Sequence, residues 1–272
     1  MDRAMKNEKN RERVLVLSGG STGIGRETAL CFAHEGYRVF ELSRTGHSED
    51  GIIHMDTDVT DPKSVDGAMK MIAQQADGID LLICNAGYGI SGAIEYTDPC
   101  DAKRQFDVNF FGTALMIQNA LPMLRQKQGR ILCIGSVAGI IPVPFQAYYS
   151  ASKAAVAALC EALRNEIAPF HIDVSCILLG NVRTGFTSSR QKSQQGEELY
   201  QGRISRSVAV MEDEEKNGME PSHIAARLLR IAGCRRLRPF YTVGFVYRIY
   251  ALLVRLLPRR WVHAIVGYLY AR

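Results

Sequence analysis

The segment QAYYSASK, residues 146–153, puts two adjacent tyrosines about one helical turn ahead of a lysine. A free phenol titrates near pH 10 and rarely gives up a proton at neutral pH. A nearby ammonium favours the phenolate, and a phenol tuned toward working pH acts as a general acid or base. Residues four apart share a helix face. Lys153 stands four after Tyr149 and five after Tyr148, so Tyr149 is the expected partner of the lysine. Tyr148 is expected to pack nearby or to line a substrate mouth.

The flanking pattern says what must position such a helix. Apolar runs at residues 14–18, 37–43, 52–56, 79–84, 129–136 and 172–179 read as strands. Between them lie helical patterns, one opening at Asp61-Pro62 as N-cap and first helical residue, one from about Pro99 to Lys127, and one from Ala147 to Pro169. Strands that are almost continuously apolar and alternate with helices predict an α/β fold: a doubly wound, Rossmann-type parallel sheet buried on both faces.

A glycine-rich turn, SGGSTGIG, joins the first strand to the first helix. Its spacing, Gly19-x-x-x-Gly23-x-Gly25, is not G-x-G-x-x-G, but the physical need is the same. Glycine lets the backbone approach a phosphate, and the amides of a helix N-terminus bind it. Ser21 and Thr22 add hydroxyl donors.

From this turn onward, over about Val14 to Gly233, the chain resembles the short-chain dehydrogenase/reductase family. The family's T-G-x-x-x-G-x-G turn is present with Ser18 in place of threonine. Asp58-Val59 resembles its adenine contact, and CNAG (residues 84–87) its N-N-A-G, with Cys84 replacing the first asparagine. Asn109 in DVNFFGT, Ser136 in GSVAG and the Y-x-x-x-K of YSASK follow in order. The resemblance implies a hydride-transfer site in which Tyr149 protonates a carbonyl oxygen and Lys153 also holds the nicotinamide ribose. Ser136 would then hydrogen-bond the substrate oxygen, and Asn109 would hold a water of the proton relay. It implies cofactor contacts at Gly19, Ser21, Thr22, Gly23, Ile24, Gly25, Ser43, Arg44, Asp58, Val59, Asn85, Ala86, Gly87, Tyr149, Lys153, Gly180, Val182 and Thr184. Leu179-Gly180 stands where the family has P-G.

The cofactor is expected to be NADP(H). Ser43 replaces the acid that NAD-dependent members place after the second strand, and Arg44 suits a 2′-phosphate through bidentate contacts. Glu41, two residues early for that acid, is read as structural. The three aspartates at 56, 58 and 61 span a strand end and a helix cap, and the six histidines have no ligand spacing. No metal site is expected.

Composition is that of an ordinary globular protein: 272 residues, 47% hydrophobic and 22% charged. Three segments are expected: a charged arm over residues 1–13, an oxidoreductase domain over 14–233, and an extension of the same domain over 234–272. A polar loop over about 185–220 is expected as a mobile lid. The start has no apolar core, so no secretory signal is read there, and no apolar run is long enough to span a bilayer. Seven scattered cysteines, none in C-x-x-C, suit a reducing, cytoplasmic setting and read as small buried hydrophobes.

Charge is uneven. Residues 221–272 hold ten arginines and no acid, which leaves the remainder with 23 basic against 28 acidic residues. Nucleic-acid binding is not expected of so acidic a body. GFVYRIYALLVRLL and RRWVHAIVGYLYAR read as two amphipathic helices, with three competing roles: pocket wall, dimer contact or peripheral membrane anchor. The first functional expectation is interconversion of a ketone and a secondary alcohol on an apolar substrate, a steroid or bile acid. Its rivals are reduction of a lipid 3-oxo intermediate (3-ketosphingoid or 3-oxoacyl) and a non-catalytic NADP-binding regulator. By the resemblance the protein is a homo-oligomer, a dimer or tetramer.

Overall fold

Seven short strands run parallel through the centre of the molecule: β1 (Arg13–Ser18), β2 (Tyr37–Ser43), β3 (Ile52–Asp56), β4 (Leu81–Cys84), β5 (Arg130–Ser136), β6 (Asp173–Leu179) and β7 (Phe240–Val243). The structure, a computed structural model, describes residues 12–271, apart from the side chains of residues 187 and 188. The arm expected over residues 1–13 lies almost wholly outside them. Spatial order is β3-β2-β1-β4-β5-β6-β7. Side chains alternate across a strand, so Val14 and Val16 enter one core layer and Leu15 and Leu17 the other. Helices α2 (Pro62–Ala73), α4 (Thr113–Lys127) and α5 (Ala147–Glu166) cover the first layer. Helices α1 (Gly23–His34) and α7 (Pro221–Ala232) cover the second. The chain steps outward from β1 to β3, then returns to place β4 on the other side of β1. That reversal opens a crevice beyond the carboxyl ends of β1 and β4, where ligands of such sheets bind.

Three expectations change. The long helix from Pro99 breaks into α3 (Pro99–Phe106), a π-helical turn (Asp107–Gly112) and α4. The expected lid loop contains a helical turn (Phe186–Ser189), a two-residue ladder between Gln191–Lys192 and Ile90–Ser91, and a full helix, α6 (Arg203–Lys216). The buried stripe of α6 is Ile204, Ser207, Met211 and Glu215, half of it polar, which hides it from a hydrophobicity reading. The cysteines also divide. Cys84, Cys133, Cys160 and Cys176 are buried, but Cys100 sits exposed on the first turn of α3, and Cys31 and Cys234 are half-buried.

The extension forms both expected helices, α8 (Phe245–Leu256) and α9 (Arg259–Tyr270), and supplies the unforeseen β7. Among the described residues no helix is long and apolar enough to cross a membrane. β7 pairs with β6 from Cys176↔Phe240 to Leu179↔Val243. Immediately beyond β6, the Tyr247 ring of α8 lies on Gly180, where an added Cβ would stand 2.1–2.3 Å from ring carbons. Glycine there is a packing requirement, which locks the extension to the loop after β6.

Gly180→Ala therefore destabilises the fold by about 1–3 kcal/mol through overpacking. Denaturant unfolding checks this as a cycle: in a Tyr247→Ala background the same substitution costs much less.

Candidate active site

The crevice begins at the turn between β1 and α1. Gly19 takes φ +68°, and a Cβ on Gly25 would stand 2.0 Å from the Gly19 carbonyl oxygen. The turn closes only with glycine at both places. The Ser18 hydroxyl accepts hydrogen bonds from the Asn85 and Ala86 amides at 3.1 and 3.2 Å, and the Asn85 side chain donates to the Gly19 oxygen at 2.8 Å. These bonds tie the ends of β1 and β4 together. The α1 N-cap, Thr22, makes no side-chain capping bond, so the first-turn amides are suited to an anion.

A cavity of about 1520 Å³ runs from this turn to the C-terminal helices. It exceeds the usual 300–1,000 Å³ or so of a single-ligand site. Every predicted cofactor contact except Gly25 lines it, as does Ser136. Gly25 stands behind the turn it closes. Asn109 also lies outside the lining and is 1% exposed. At the far end of β2, Glu41 is 3% exposed, accepts from the Gly20 amide at 2.8 Å and contacts His54 Nδ1 at 2.5 Å. Its carboxylate is thus engaged inside the protein, while Arg44 is exposed and lines the cavity.

The catalytic candidates meet at the end of β5. Tyr149 faces the cavity and is hydrogen-bonded by the Ser136 side chain. Lys153, one turn on, lies 5.9 Å from the Tyr149 ring centre, and its Nζ donates to the Ile134 carbonyl at 2.8 Å. Tyr148 is half-buried and outside the cavity lining. Asn109 sits in the π-turn; its side chain receives the Tyr88 amide at 3.0 Å and donates to the Tyr88 carbonyl and the Ser152 hydroxyl, each at 3.0 Å. Ser152 in turn donates to the Tyr149 carbonyl at 2.8 Å. Asn109 therefore fixes the wall loop against the helix carrying Tyr149 and Lys153.

Electrostatics depart from the simple expectation. Burial pushes the Tyr149 phenol up to about 12 and the Lys153 ammonium down to about 8. The Ser136 hydrogen bond opposes the first shift, Glu215 adds to it, and Arg190 works against it. Spacing puts the two residues on one helix face, but it does not encode the desolvation that moves both groups.

Glu215 and Arg190 are functional candidates that the sequence reading missed. Both line the cavity, where they form an ion pair with the Arg190 side chain fully buried. Arg190 Nε and Nη1 are buried without a hydrogen-bond partner among the described residues. The Phe186 ring, 5.7 Å from that of Tyr149, lies under the Arg190 guanidinium at 5.6 Å. The two charges are 25 residues apart in a segment that reads as a mobile polar lid, so no spacing signal joins them.

The model of the family described as "short chain dehydrogenase" matches residues 13–195. The chain belongs to the short-chain dehydrogenase/reductase family. A 3-ketodihydrosphingosine reductase of Bacteroides thetaiotaomicron is 37% identical over 235 residues, covering 85% of this chain and 87% of that one. A crystal structure of a short-chain dehydrogenase from Streptomyces avermitilis superposes with TM-score 0.81 at 24% identity, covering 95% and 98% of the two chains. One from Burkholderia cenocepacia in complex with NADP gives 0.75 at 24%, covering 94% and 98%. At those identities the structural matches carry the fold.

The glycine cradle, the open helix N-terminus and the Tyr149–Lys153 pair fit the family's nicotinamide dinucleotide. Bound there, a reduced nicotinamide would supply a hydride. Ser136 and Tyr149 are placed to hold a substrate oxygen and to exchange a proton with it, and the Lys153 ammonium would favour a Tyr149 phenolate.

The buried lysine makes a pH-dependent stability difference. Its folded pKa, about 8, lies below the ordinary 10.5, so below pH ~8 the folded state bears the full cost of desolvating the ammonium. Between those values the unfolded chain binds the extra proton, and stability attributable to this group rises with pH. Lys153→Met therefore raises Tm relative to wild type most below pH 8, and the gap narrows as pH rises toward 10.5. Thermal unfolding across that range is the check; turnover of the variant falls at least ~100-fold.

Proposed function

We propose that this enzyme uses NADPH to reduce the ketone of a long-chain amino lipid of the 3-ketosphingoid-base class. One observation carries the reading. One cavity is lined by Tyr149, by the charged trio Arg190, Glu214 and Glu215, and by apolar side chains of α8 and α9. A substrate with a reacting carbonyl, a polar head and a long hydrocarbon matches that set of surfaces. Glu214, whose Oε2 accepts from Asn181 at 2.9 Å and Tyr270 at 2.7 Å, supplies negative charge for an ammonium. The two unpartnered Arg190 donors suit a neighbouring hydroxyl oxygen. The name of the Bacteroides relative supports the same substrate class. The expectation of a steroid now ranks below its lipid rival, because a steroid ketone offers no cationic head to these carboxylates.

For the cofactor, Glu41 is engaged with Gly20 and His54, which leaves Ser43 and Arg44 at the cavity wall. That supports a 2′-phosphate there and hence NADP(H).

Following reduced-nicotinamide absorbance separates the readings. Turnover is expected with 3-ketosphinganine, at least ~10-fold less with its N-acetylated form, and none with Tyr149→Phe. Glu214→Gln raises KM for the amine by about tenfold, the scale of one charge-assisted contact. Faster turnover of a keto-steroid or a 3-oxoacyl thioester would overturn the substrate assignment. Arg44→Ala is expected to raise KM for NADPH about tenfold at unchanged kcat and to leave NADH almost untouched. Equal loss for both cofactors would sink the NADP assignment.

A further inference from the structure

The two C-terminal helices present an outer face of unusual composition. On α8, Phe245, Ile249, Leu252 and Leu256 recur at helical spacing and are 76%, 41%, 57% and 70% exposed. On α9, Trp261, Ile265 and Tyr268 do the same at 56%, 50% and 60%. A surface helix of a water-soluble domain turns its polar side outward. Here the side turned outward is aliphatic and aromatic. The charges between these residues are all of one sign: Arg248, Arg255, Arg259 and Arg260 are exposed, and no acidic residue occurs from Pro221 to the end of the chain.

The geometry points to docking of this face on an anionic phospholipid bilayer, with α8 and α9 lying in its interface. An apolar face with arginines and an interfacial tryptophan and tyrosine is the signature of a helix that rests in a headgroup layer without crossing it. Charge fixes the orientation. The chain before Pro221 has an excess of acidic residues and is repelled by the surface that attracts this face. A second copy of the chain fits poorly: mating two such faces would set arginines against arginines with no acid to pair them.

A feature of the cavity favours a membrane over a globular partner. Val246, Tyr250, Leu253, Ile265 and Leu269 line the cavity, yet all are exposed. The apolar end of the channel therefore opens on this same face. A protein seated there would seal the mouth, whereas a bilayer would join its hydrocarbon to the channel. A chain-bearing ketone could then enter tail-last without passing through water. That delivery role rests on the proposed lipid substrate; the docking itself does not.

Docking is measured without substrate or cofactor, so its failure and that of the substrate assignment are separable. The full chain is co-sedimented with unilamellar vesicles of phosphatidylcholine alone or mixed with phosphatidylglycerol, at low and high salt. Wild type is expected to partition onto the anionic vesicles and to be partly released by salt. Leu252→Glu/Leu256→Glu/Trp261→Ser changes exposed residues outside the cavity lining and should weaken partitioning at least ~10-fold. Arg255→Gln/Arg259→Gln/Arg260→Gln should abolish the preference for anionic lipid. Circular dichroism and Tm unchanged from wild type establish that both variants fold. Wild type remaining in the supernatant with every vesicle at low salt would overturn the proposal. So would wild-type partitioning by the folded Glu/Ser triple variant, or equal partitioning onto neutral and anionic vesicles. A dimer by light scattering that this variant converts to monomer would assign the face to self-association instead.

Discussion

An ammonium group held out of water is the constraint around which this site is built. Lys153 is 5% exposed, and an amine so placed needs a fixed acceptor, because desolvation favours its neutral form. The Ile134 carbonyl at 2.8 Å provides one. Helical periodicity then brings Tyr149 to the same face, and Asn109 and Ser152 pin the start of α5 to the loop after β4. The π-turn at Asp107–Gly112 carries Asn109 into that position. π-Bulges often occur at functional sites, and here the irregularity has an identifiable use.

Two kinds of surface share one cavity. Its dinucleotide end is built from backbone: a glycine turn, a helix start and strand termini. Its other end is built from side chains supplied by the most C-terminal helices. The Arg190–Glu215 pair lines the same cavity, and its two charges act on the Tyr149 phenol with opposite sign.

Much of this was legible in the sequence, for specific reasons. Strands buried on both faces must be almost continuously apolar, so β1, β4, β5 and β6 were plain. The four-residue spacing of Tyr149 and Lys153 is a helix-face relation readable without coordinates. What escaped was written in a different code. β7 is an edge strand with three half-buried residues, FYT, before its single buried valine, so it lacks the apolar run of a central strand. α6 buries a serine and a glutamate as half of its inner stripe. Gly180 reads as a cofactor contact in the loop after β6, and its packing role is hidden because its partner ring, Tyr247, comes 67 positions later. The direction of the Tyr149 shift depends on depth of burial, which no spacing encodes.

The pairing of β7 with β6 also bears on how the molecule comes into being. β7, α8 and α9 are the last described elements to leave the ribosome, and domains begin folding from the N-terminal side during synthesis. The glycine turn and strands β1 to β6 all precede β7 in the chain, so they can assemble while β6 still has an open edge. Closure of the sheet, the clamp on Gly180 and the apolar wall arrive together with the final turns of helix. A nascent chain therefore holds its glycine turn well before it has the apolar wall that α8 and α9 add to the same cavity.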